Sequence, residues 1–195
     1  MFTNNYISFR RNLFFGLLQN KPITTNSGSL YAGYFTAPSG SQIYQYNPSQ
    51  YDIGSAIRFP RCGSIPTAHT SGGAQIEAHM GVYFGTGSTP ASLADYTLES
   101  PITKGLAFAG GLEGDSAYKD GKAEVTARYI VTNTSDAEIN IWEIGCFVPV
   151  QMSTNSSYQV VMMERTVLTE PITIPPGESK MVTYKVAFNQ TLSVD

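Results

Sequence analysis

Residues 123–188 read AEVTARYIVTNTSDAEINIWEIGCFVPVQMSTNSSYQVVMMERTVLTEPITIPPGESKMVTYKVAF. Apolar and polar side chains alternate along much of this stretch, and β-branched and aromatic residues are frequent. Both features are typical of β-strands. Two polar segments, residues 132–136 and residues 174–179, interrupt the alternation as turns. Because strands joined by short polar turns build a sandwich or a barrel, this stretch predicts an all-β fold.

Four strands are predicted within this stretch. The first has one apolar face, formed by Val125, Ala127, Tyr129 and Val131. The third runs from Tyr158 to Leu168 after a polar hairpin loop at residues 153–157, and the fourth alternates from Val182 to Phe188. Loops this short lead us to expect that successive strands pair antiparallel.

The second strand changes phase along its length. Ile139 and Ile141 share one parity, whereas Trp142, Ile144 and Cys146 share the other. Such a change indicates either a β-bulge or a strand that is buried on both faces.

Upstream of this stretch the strand signals are shorter. Residues 74–84 alternate as a half-buried strand, residues 106–111 read as a short edge strand, and residues 114–121 read as a polar turn. The prediction for residues 76–195 is an antiparallel β-sandwich of Greek-key or immunoglobulin-like type.

The first 75 residues predict a helix followed by an extended arm. Apolar residues recur at nearly helical spacing over residues 4–19, with Asn4 or Asn5 available as the N-cap and Pro22 as the end. Residues 21–57 carry only two charged side chains and are rich in tyrosine, which buries much area and keeps a hydroxyl for a partner. The helix and the tyrosines either cover their own domain or dock on another subunit. The residues assigned to docking are Phe9, Leu13, Phe14, Tyr31, Tyr34, Tyr44 and Tyr46.

Composition narrows the class of protein. Hydrophobic residues make up 42% of the 195 residues, enough for a sizeable core, while charged residues make up 14%, below the usual level of about 25%. A net charge of -3 argues against binding to nucleic acid, and no apolar run is long enough to cross a membrane. The two cysteines, Cys62 and Cys146, favour free thiols in a reducing compartment, although one bridge stays open as an alternative.

Residues that carry chemistry are few and scattered. His69 and His79 are the only histidines, and neither has a nucleophile motif beside it. Carboxylates for an acid–base pair would come from Glu77, Asp95, Glu99, Glu113 or Asp115, but their spacing selects no pair. Residues 115–121 lack the ligand pattern of a calcium loop, and Gly85-Thr86-Gly87 lacks the third glycine of a phosphate loop. We therefore predict no catalytic, cofactor or metal site.

A resemblance covers residues 80–189. It rests on Ile130–Ser135, Ile139–Gly145, Glu164–Leu168 and Pro171–Ser179, with Phe84–Gly87 and Tyr96–Ile102 upstream. In this order the segments resemble a β-sandwich module of virion proteins from tailed bacteriophages. The resemblance implies a non-enzymatic structural component that is present in many copies.

The functional prediction is therefore a virion structural protein of the capsid, neck or tail, assembled in the host cytoplasm. Its expected partners are other copies of itself, as a homo-oligomer, and neighbouring virion proteins. The alternative is a host-receptor or carbohydrate-binding module of a tail fibre or spike, since tyrosines also stack on sugars. A wall-degrading hydrolase is the least favoured class, because no acid–base pair stands out.

Overall fold

The computed structural model describes residues 1–3, 6, 34–40, 42–47, 59–65, 70–71, 80–109, 115–119, 122–152 and 157–189. The elements in these ranges are all strands: β1 (Tyr34–Thr36), β2 (Gln42–Asn47), β3 (Pro60–Arg61), β4 (Thr70–Ser71), β5 (Gly81–Gly85), β6 (Leu106–Ala109), β7 (Asp115–Lys119), β8 (Lys122–Asn133), β9 (Ile139–Met152), β10 (Ser157–Ile174) and β11 (Ser179–Asn189). The all-β prediction is confirmed. The predicted helix at residues 4–19 lies, except for Tyr6, outside the described residues. Within those residues, no helix has the length and apolar character needed to cross a membrane.

The strands form two sheets. The larger sheet has the order β1-β2-β9-β10-β4, with β5 also paired to β9 and β3 paired to β5. The smaller sheet has the order β11-β8-β6, with β7 also paired to β8. Every pairing is antiparallel except that of β3 with β5.

A shared apolar core lies between the two sheets. Both sheets contribute to it, and its fully buried members include Val82, Ala127, Val131, Ile141, Cys146, Val161 and Met163. Phe84 of the larger sheet stacks on Phe108 of the smaller one at 5.6 Å and meets the edge of Tyr129 at 6.4 Å. Burial of each such large side chain contributes about 1.5–3 kcal/mol.

Three short connections join the consecutive strands from β8 to β11. Only one of them links two strands that pair with each other. The β9–β10 hairpin is confirmed, with Tyr158 opposite Gln151. The expectation that β8 pairs with β9, and β10 with β11, is wrong, because β8 and β11 pair with each other in the smaller sheet. Residues 134–138 and 175–178 instead carry the chain from one sheet to the other, so that both sheets turn their apolar faces to one core.

The alternation of β8 and β11 is confirmed. Val182, Tyr184 and Val186 are buried, whereas the residues between them are exposed. The predicted edge strand at residues 106–111 is β6, which spans Leu106–Ala109 and pairs only with β8 among the described strands.

Two local predictions are wrong. Residues 115–119 are not part of a turn but form β7, which pairs with β8 up to Lys119 opposite Lys122. The prediction failed because Asp115, Ser116 and Lys119 give the segment a polar character, and among the described strands β7 pairs only with β8. Of the strand predicted at residues 74–84, residues 74–79 lie outside the described residues. The strand described there is β5, and all five of its residues are buried rather than half-buried, because other parts of the chain cover the outer face of the larger sheet.

The phase change in β9 has both predicted causes. The register with β10 shifts between the pairs Glu143–Val167 and Ile141–Ile172, so Ile141 and Ile144 both reach the shared core. Residues 143–149 are also buried on both faces of the strand. The shift lets β10 continue past its predicted end at Leu168 as far as Ile174.

A second bulge lies in β10. Val161 pairs with Val148 and Met162 with Phe147, but the next pair is Glu164 with Cys146, so Met163 is the extra residue. The amino terminus lies against this bulge. The amide of Thr3 donates to the carbonyl of Met163 at 3.0 Å, and the amide of Arg165 donates to that of Met1 at 3.0 Å. These two bonds form an isolated antiparallel bridge between Phe2 and Glu164.

Described strands from the first 75 residues pair with the larger sheet of the same chain. β2 pairs with β9, β3 with β5, and β4 with β10. β1 adds to β2, with Tyr34 opposite Tyr44. These short strands extend a sheet whose central members are β9 and β10.

Asn133 joins the two crossover turns. Its side-chain amide donates to the carbonyls of Ala137 at 2.7 Å and Ile174 at 2.8 Å, while its oxygen accepts from the amide of Ser135 at 2.9 Å. Its main chain accepts from Gly177 and donates to Glu178, both at 2.9 Å. One fully buried residue therefore ties residues 133–137 to residues 174–178.

Gly177 has the conformation that the second turn requires. Its φ is 73°, and the amide of Glu178 donates to the carbonyl of Pro175, as in a type II turn with Pro176 and Gly177 in the centre. We expect Gly177→Ala to lower the free energy of unfolding by about 1–2 kcal/mol, because a β-carbon strains the left-handed region. Gly177→Asn is expected to cost less. Urea denaturation of both variants tests this prediction, and equal costs would contradict it.

Candidate functional site

The β10 bulge places two charged side chains on opposite faces of the larger sheet. Glu164 points toward the smaller sheet, where it accepts a hydrogen bond from the Tyr184 hydroxyl. Arg165, opposite Gly145 in the register, points to the outer face. Because a bulge shifts side-chain parity by one residue, it re-aims both groups.

Glu143 is the centre of the outer-face cluster. Its side chain is fully buried, and its Oε2 accepts from Arg165 Nε at 2.8 Å. Three main-chain amides also donate to this carboxylate: those of Gly87 at 3.2 Å, Glu99 at 3.1 Å and Ser100 at 2.8 Å. A buried carboxylate with one charged and three amide donors is well satisfied.

Glycines make room for this arrangement. A β-carbon on Gly87 would lie 2.7 Å from Glu143 Oε1, and one on Gly145 would lie 2.7 Å from Leu98 Cδ2. A β-carbon on Gly85 would also overlap the Glu143 carboxylate. The segment at residues 86–100 can therefore approach the sheet closely enough for its amides to reach Glu143.

The same segment covers a second apolar cluster. Leu98 packs there with Ile65, Tyr83, Phe147, Val160 and Met162 on the outer face of the larger sheet. Tyr83 meets the edge of Phe147 at 5.2 Å, and burial raises the pKa of Tyr83 to about 12. We call residues 86–100, held over this cluster by Glu143 and Arg165, the clamped loop.

Two further carboxylates of the clamped loop complete the cluster. Arg165 Nη1 donates to Asp95 Oδ2 at 2.8 Å, and Nη2 donates to Glu99 Oε2 at 3.4 Å. Asp95 also accepts from the Ser92 amide, and Glu99 from the amide and hydroxyl of Thr89. Each carboxylate therefore bonds both to its own part of the loop and to the guanidinium of Arg165.

Electrostatics favour the charged forms of Arg165 and Glu99. Burial opposes the charge on Arg165, but its hydrogen bonds and proximity to Asp95 and Glu143 outweigh that effect and raise its pKa. Hydrogen bonds from the hydroxyl and amide of Thr89, aided by the charge of Arg165, lower the pKa of Glu99. A carboxyl with a lowered pKa is a poor proton donor at neutral pH. The geometry is that of a structural ion-pair network.

A shallow depression of about 330 Å³ lies over the cluster. It is lined by Thr89, Ala94, Asp95, Tyr96, Thr97, Leu98, Glu99 and Arg165. The Tyr96 side chain is partly exposed beside the two loop carboxylates. Among the described residues, no group of three or more histidine, cysteine or acidic side chains is arranged to hold a metal ion.

The predicted docking residues are only partly placed. Tyr34 lies on β1, and Tyr44 and Tyr46 lie on β2. Phe9, Leu13, Phe14 and Tyr31 lie outside the described residues, so their docking role stays a prediction. Both cysteines are free thiols, with Cys146 buried and Cys62 half-buried.

Of the carboxylates considered from the sequence, the structure brings two together. Asp95 and Glu99 meet at Arg165, whereas Asp115 lies on β7 of the other sheet. Glu77, Glu113 and both histidines lie outside the described residues.

Glu143 and Arg165 were not predicted as site residues from the sequence. Glu143 is a lone charged residue between Trp142 and Ile144, and Arg165 follows Glu164 directly after the apolar residues 160–163. Charged residues are almost never fully buried unless paired, so two of them on successive strands were a usable signal.

Comparison with protein-family models, curated proteins and solved structures finds no match for this chain. The site is therefore interpreted from its own geometry.

The stabilising effect of Glu99 is expected to depend on pH. Because its pKa is lowered in the folded state, the unfolded chain binds the proton more readily, and the stabilisation present above the ordinary value of 4.5 is lost as the pH falls through the lowered pKa. Urea unfolding at pH 7 and pH 3 should therefore show a smaller acid-induced loss for Glu99→Gln than for the wild type. Glu138→Gln, at an exposed position, is the control. Identical acid losses for wild type and Glu99→Gln would contradict the prediction.

Proposed function

We propose that the protein is a non-enzymatic structural component of a tailed-phage virion, acting through association with other copies and with neighbouring capsid, neck or tail proteins. The proposal includes an immunoglobulin-like sandwich as the finer description of the two-sheet fold. Expected surroundings are the particle itself, assembled in the host cytoplasm.

The observation that carries this proposal is that four of the segments on which the resemblance rests lie close together in the structure. Phe84–Gly87, Tyr96–Ile102, Ile139–Gly145 and Glu164–Leu168 meet at the clamped loop through Glu143, Arg165 and the glycines around them. The resemblance therefore rests on residues that act together in folding rather than on isolated turns. This supports a module of the same kind.

The use of charge in the cluster supports the same proposal. Asp95, Glu99 and Glu143 all bond to Arg165 and to amides of the loop. Groups held in this way stabilise a rigid surface, as a structural component requires, and are poorly suited to proton transfer.

The test is quantitative mass spectrometry of purified phage particles from a culture whose phage encodes the full-length chain. We expect the protein at a fixed copy number, and Phe9→Asp/Leu13→Asp is expected to lower that number if the predicted helix docks on a neighbour. An exposed-site variant, Asp136→Asn, is the control. Absence of the wild-type protein from purified particles would overturn the proposal.

The depression over the cluster favours one second candidate, a carbohydrate-binding module of a fibre or spike. A partly exposed Tyr96 beside Asp95, Glu99 and Thr89 supplies a ring for stacking and acceptors for sugar hydroxyls. Glycan-array binding by the purified protein, lost in Tyr96→Ala, would favour this candidate. No glycan binding together with a fixed copy number in particles would favour the structural role.

A further inference from the structure

Among the described strands, the long strand β11 lies at one end of the smaller sheet. β11 has eleven residues, all paired with β8 in one unbroken register from Ser179–Thr132 to Asn189–Lys122. No described strand pairs with its other edge. Most strands are about 5–6 residues long, so an edge of this length offers an unusually large set of main-chain donors and acceptors.

The sequence and register of β11 itself lack the usual features that protect an edge. It contains no proline and no bulge, and its charge is limited to two lysines. Lys185 Nζ is bonded to Glu124 Oε1 of β8 at 2.8 Å, so its charge is directed over the sheet of its own chain. Lys180 lies next to the end of the strand.

The sequence of β11 is complementary to itself in the antiparallel direction. The one register that overlaps all eleven residues is centred on Tyr184, and it places Val182 opposite Val186 of the other copy. Both valines face the core of their own chain, with exposed fractions of 3% and 2%. Side-chain parity is therefore preserved, and the two cores would become continuous across the junction.

The outward-facing side chains of the two copies are also compatible in this register. Met181, which is 70% exposed, would lie opposite Ala187 of the other copy, and Thr183 opposite Lys185. An exposed methionine at an edge gains an apolar neighbour, and no lysine faces a lysine directly. Such a contact is isologous, as in most homodimers.

From this geometry we propose that two copies of the chain pair through antiparallel β11 strands centred on Tyr184, which joins their smaller sheets into one. An antiparallel ladder over eleven residues forms about ten main-chain hydrogen bonds, the number found in a typical protein interface. This inference rests on the proposed structural function and names one of its partners as a second copy.

The test is the dimer dissociation constant of the full-length protein, measured by sedimentation velocity over a range of concentrations. Met181→Glu/Ala187→Glu places like charges opposite each other at two positions of the junction, and we expect a rise of about tenfold or more in Kd. Met181→Lys/Ala187→Glu places opposite charges there and is expected to restore the dimer. Ile130→Glu, on the same outward face but on β8, is the control and should leave Kd unchanged.

Each outcome decides the proposal. A wild-type protein that stays monomeric up to high micromolar concentration would overturn it, and would indicate that a segment of the same chain or another protein occupies the edge. A dimer that the Glu/Glu variant does not weaken would also overturn it. Because these measurements use isolated protein, they are independent of the particle assay, so a monomer found in particles would reject the edge pairing alone.

Discussion

Glu143→Ala is expected to lower the free energy of unfolding by about 3–5 kcal/mol, because it removes the fully buried partner of an ion pair and leaves the buried Nε of Arg165 without its acceptor. Arg165 has a side chain that is 4% exposed and would keep only Asp95 and Glu99 as partners. The amides of Gly87, Glu99 and Ser100 would also lose their acceptor. Urea denaturation followed by fluorescence measures the loss.

Companion variants separate the charge from the shape of the side chain. Glu143→Gln keeps one acceptor oxygen and loses the charge, so its cost should lie between those of the wild type and the alanine variant. Glu143→Leu/Arg165→Met removes both charges and should cost less than the sum of the two single substitutions. Glu138→Ala, at an exposed position just before β9, should stay within about 0.5 kcal/mol of the wild type. A Glu143→Ala variant with the wild-type urea midpoint would refute the role of Glu143 in holding the clamped loop.

The bonds between Glu143 and the clamped loop also predict which main-chain amides exchange faster when the charge of Glu143 is removed. Hydrogen exchange of Glu143→Gln should show faster exchange at the amides of Gly87, Glu99 and Ser100, while the β8–β11 ladder keeps its protection. The physical reason is that these three amides have Glu143 as their acceptor, whereas the ladder lies in the other sheet.

Asn133→Leu is expected to have the second large effect, a loss of about 3 kcal/mol, because each buried group left without a partner costs about 1–3 kcal/mol. The substitution keeps the number and branching of the side-chain heavy atoms, although leucine is larger, and it removes the donors to the carbonyls of Ala137 and Ile174 and the acceptor for Ser135. Both crossover turns depend on these bonds, so the loss should appear as a lower unfolding midpoint without a change in the native sheet content seen by circular dichroism.

Two further variants test the role of Asn133 in joining the crossover turns. Asn133→Asp keeps the acceptor for Ser135 but places a carboxylate oxygen against the carbonyls of Ala137 and Ile174, so it should cost at least as much as leucine. Asp136→Ala changes an exposed residue of the same turn and should be nearly neutral. If Asn133→Leu were no less stable than Asp136→Ala, the residue would not join the turns.

Much of the fold follows from local patterns. The alternation of β8 and β11, the β9–β10 hairpin and the edge strand β6 are all set by side-chain periodicity and turn residues over a few positions. β7 was readable in principle, since Asp120-Gly121 is a frequent hairpin dipeptide between its last residue and the start of β8. Its polar side chains hid that signal.

The pairing of strands was less predictable. Periodicity says which face of a strand is apolar, but it does not say which strand lies beside it. Whether residues 134–138 return the chain beside β8 or carry it to the opposite sheet depends on how two apolar faces cover each other, and that is decided by distant residues.

The candidate site was the least predictable part. Asp95 and Glu99 could be named from the sequence as carboxylates without a partner, whereas the charges of Glu143 and Arg165 within apolar strands indicated burial with some partner but not which groups they would contact. Only the extra residue at Met163 turns Arg165 outward and Glu164 inward. A one-residue shift of this kind reverses which face each charge occupies, and no local sequence pattern predicts where the shift falls.

The amino-acid sequence by itself determined that this protein is built from strands, where most of them lie and which of their faces are apolar, because periodicity and turn chemistry act between near neighbours. Only the tertiary structure decided that β8 pairs with β11, that the clamped loop is fastened to Glu143 and Arg165, and that β11 lies at the end of the smaller sheet among the described strands. These features depend on contacts between residues that are 40 or more positions apart, as in the pairing of Ser100 with Glu143, and such contacts are selected by the packing of the whole core.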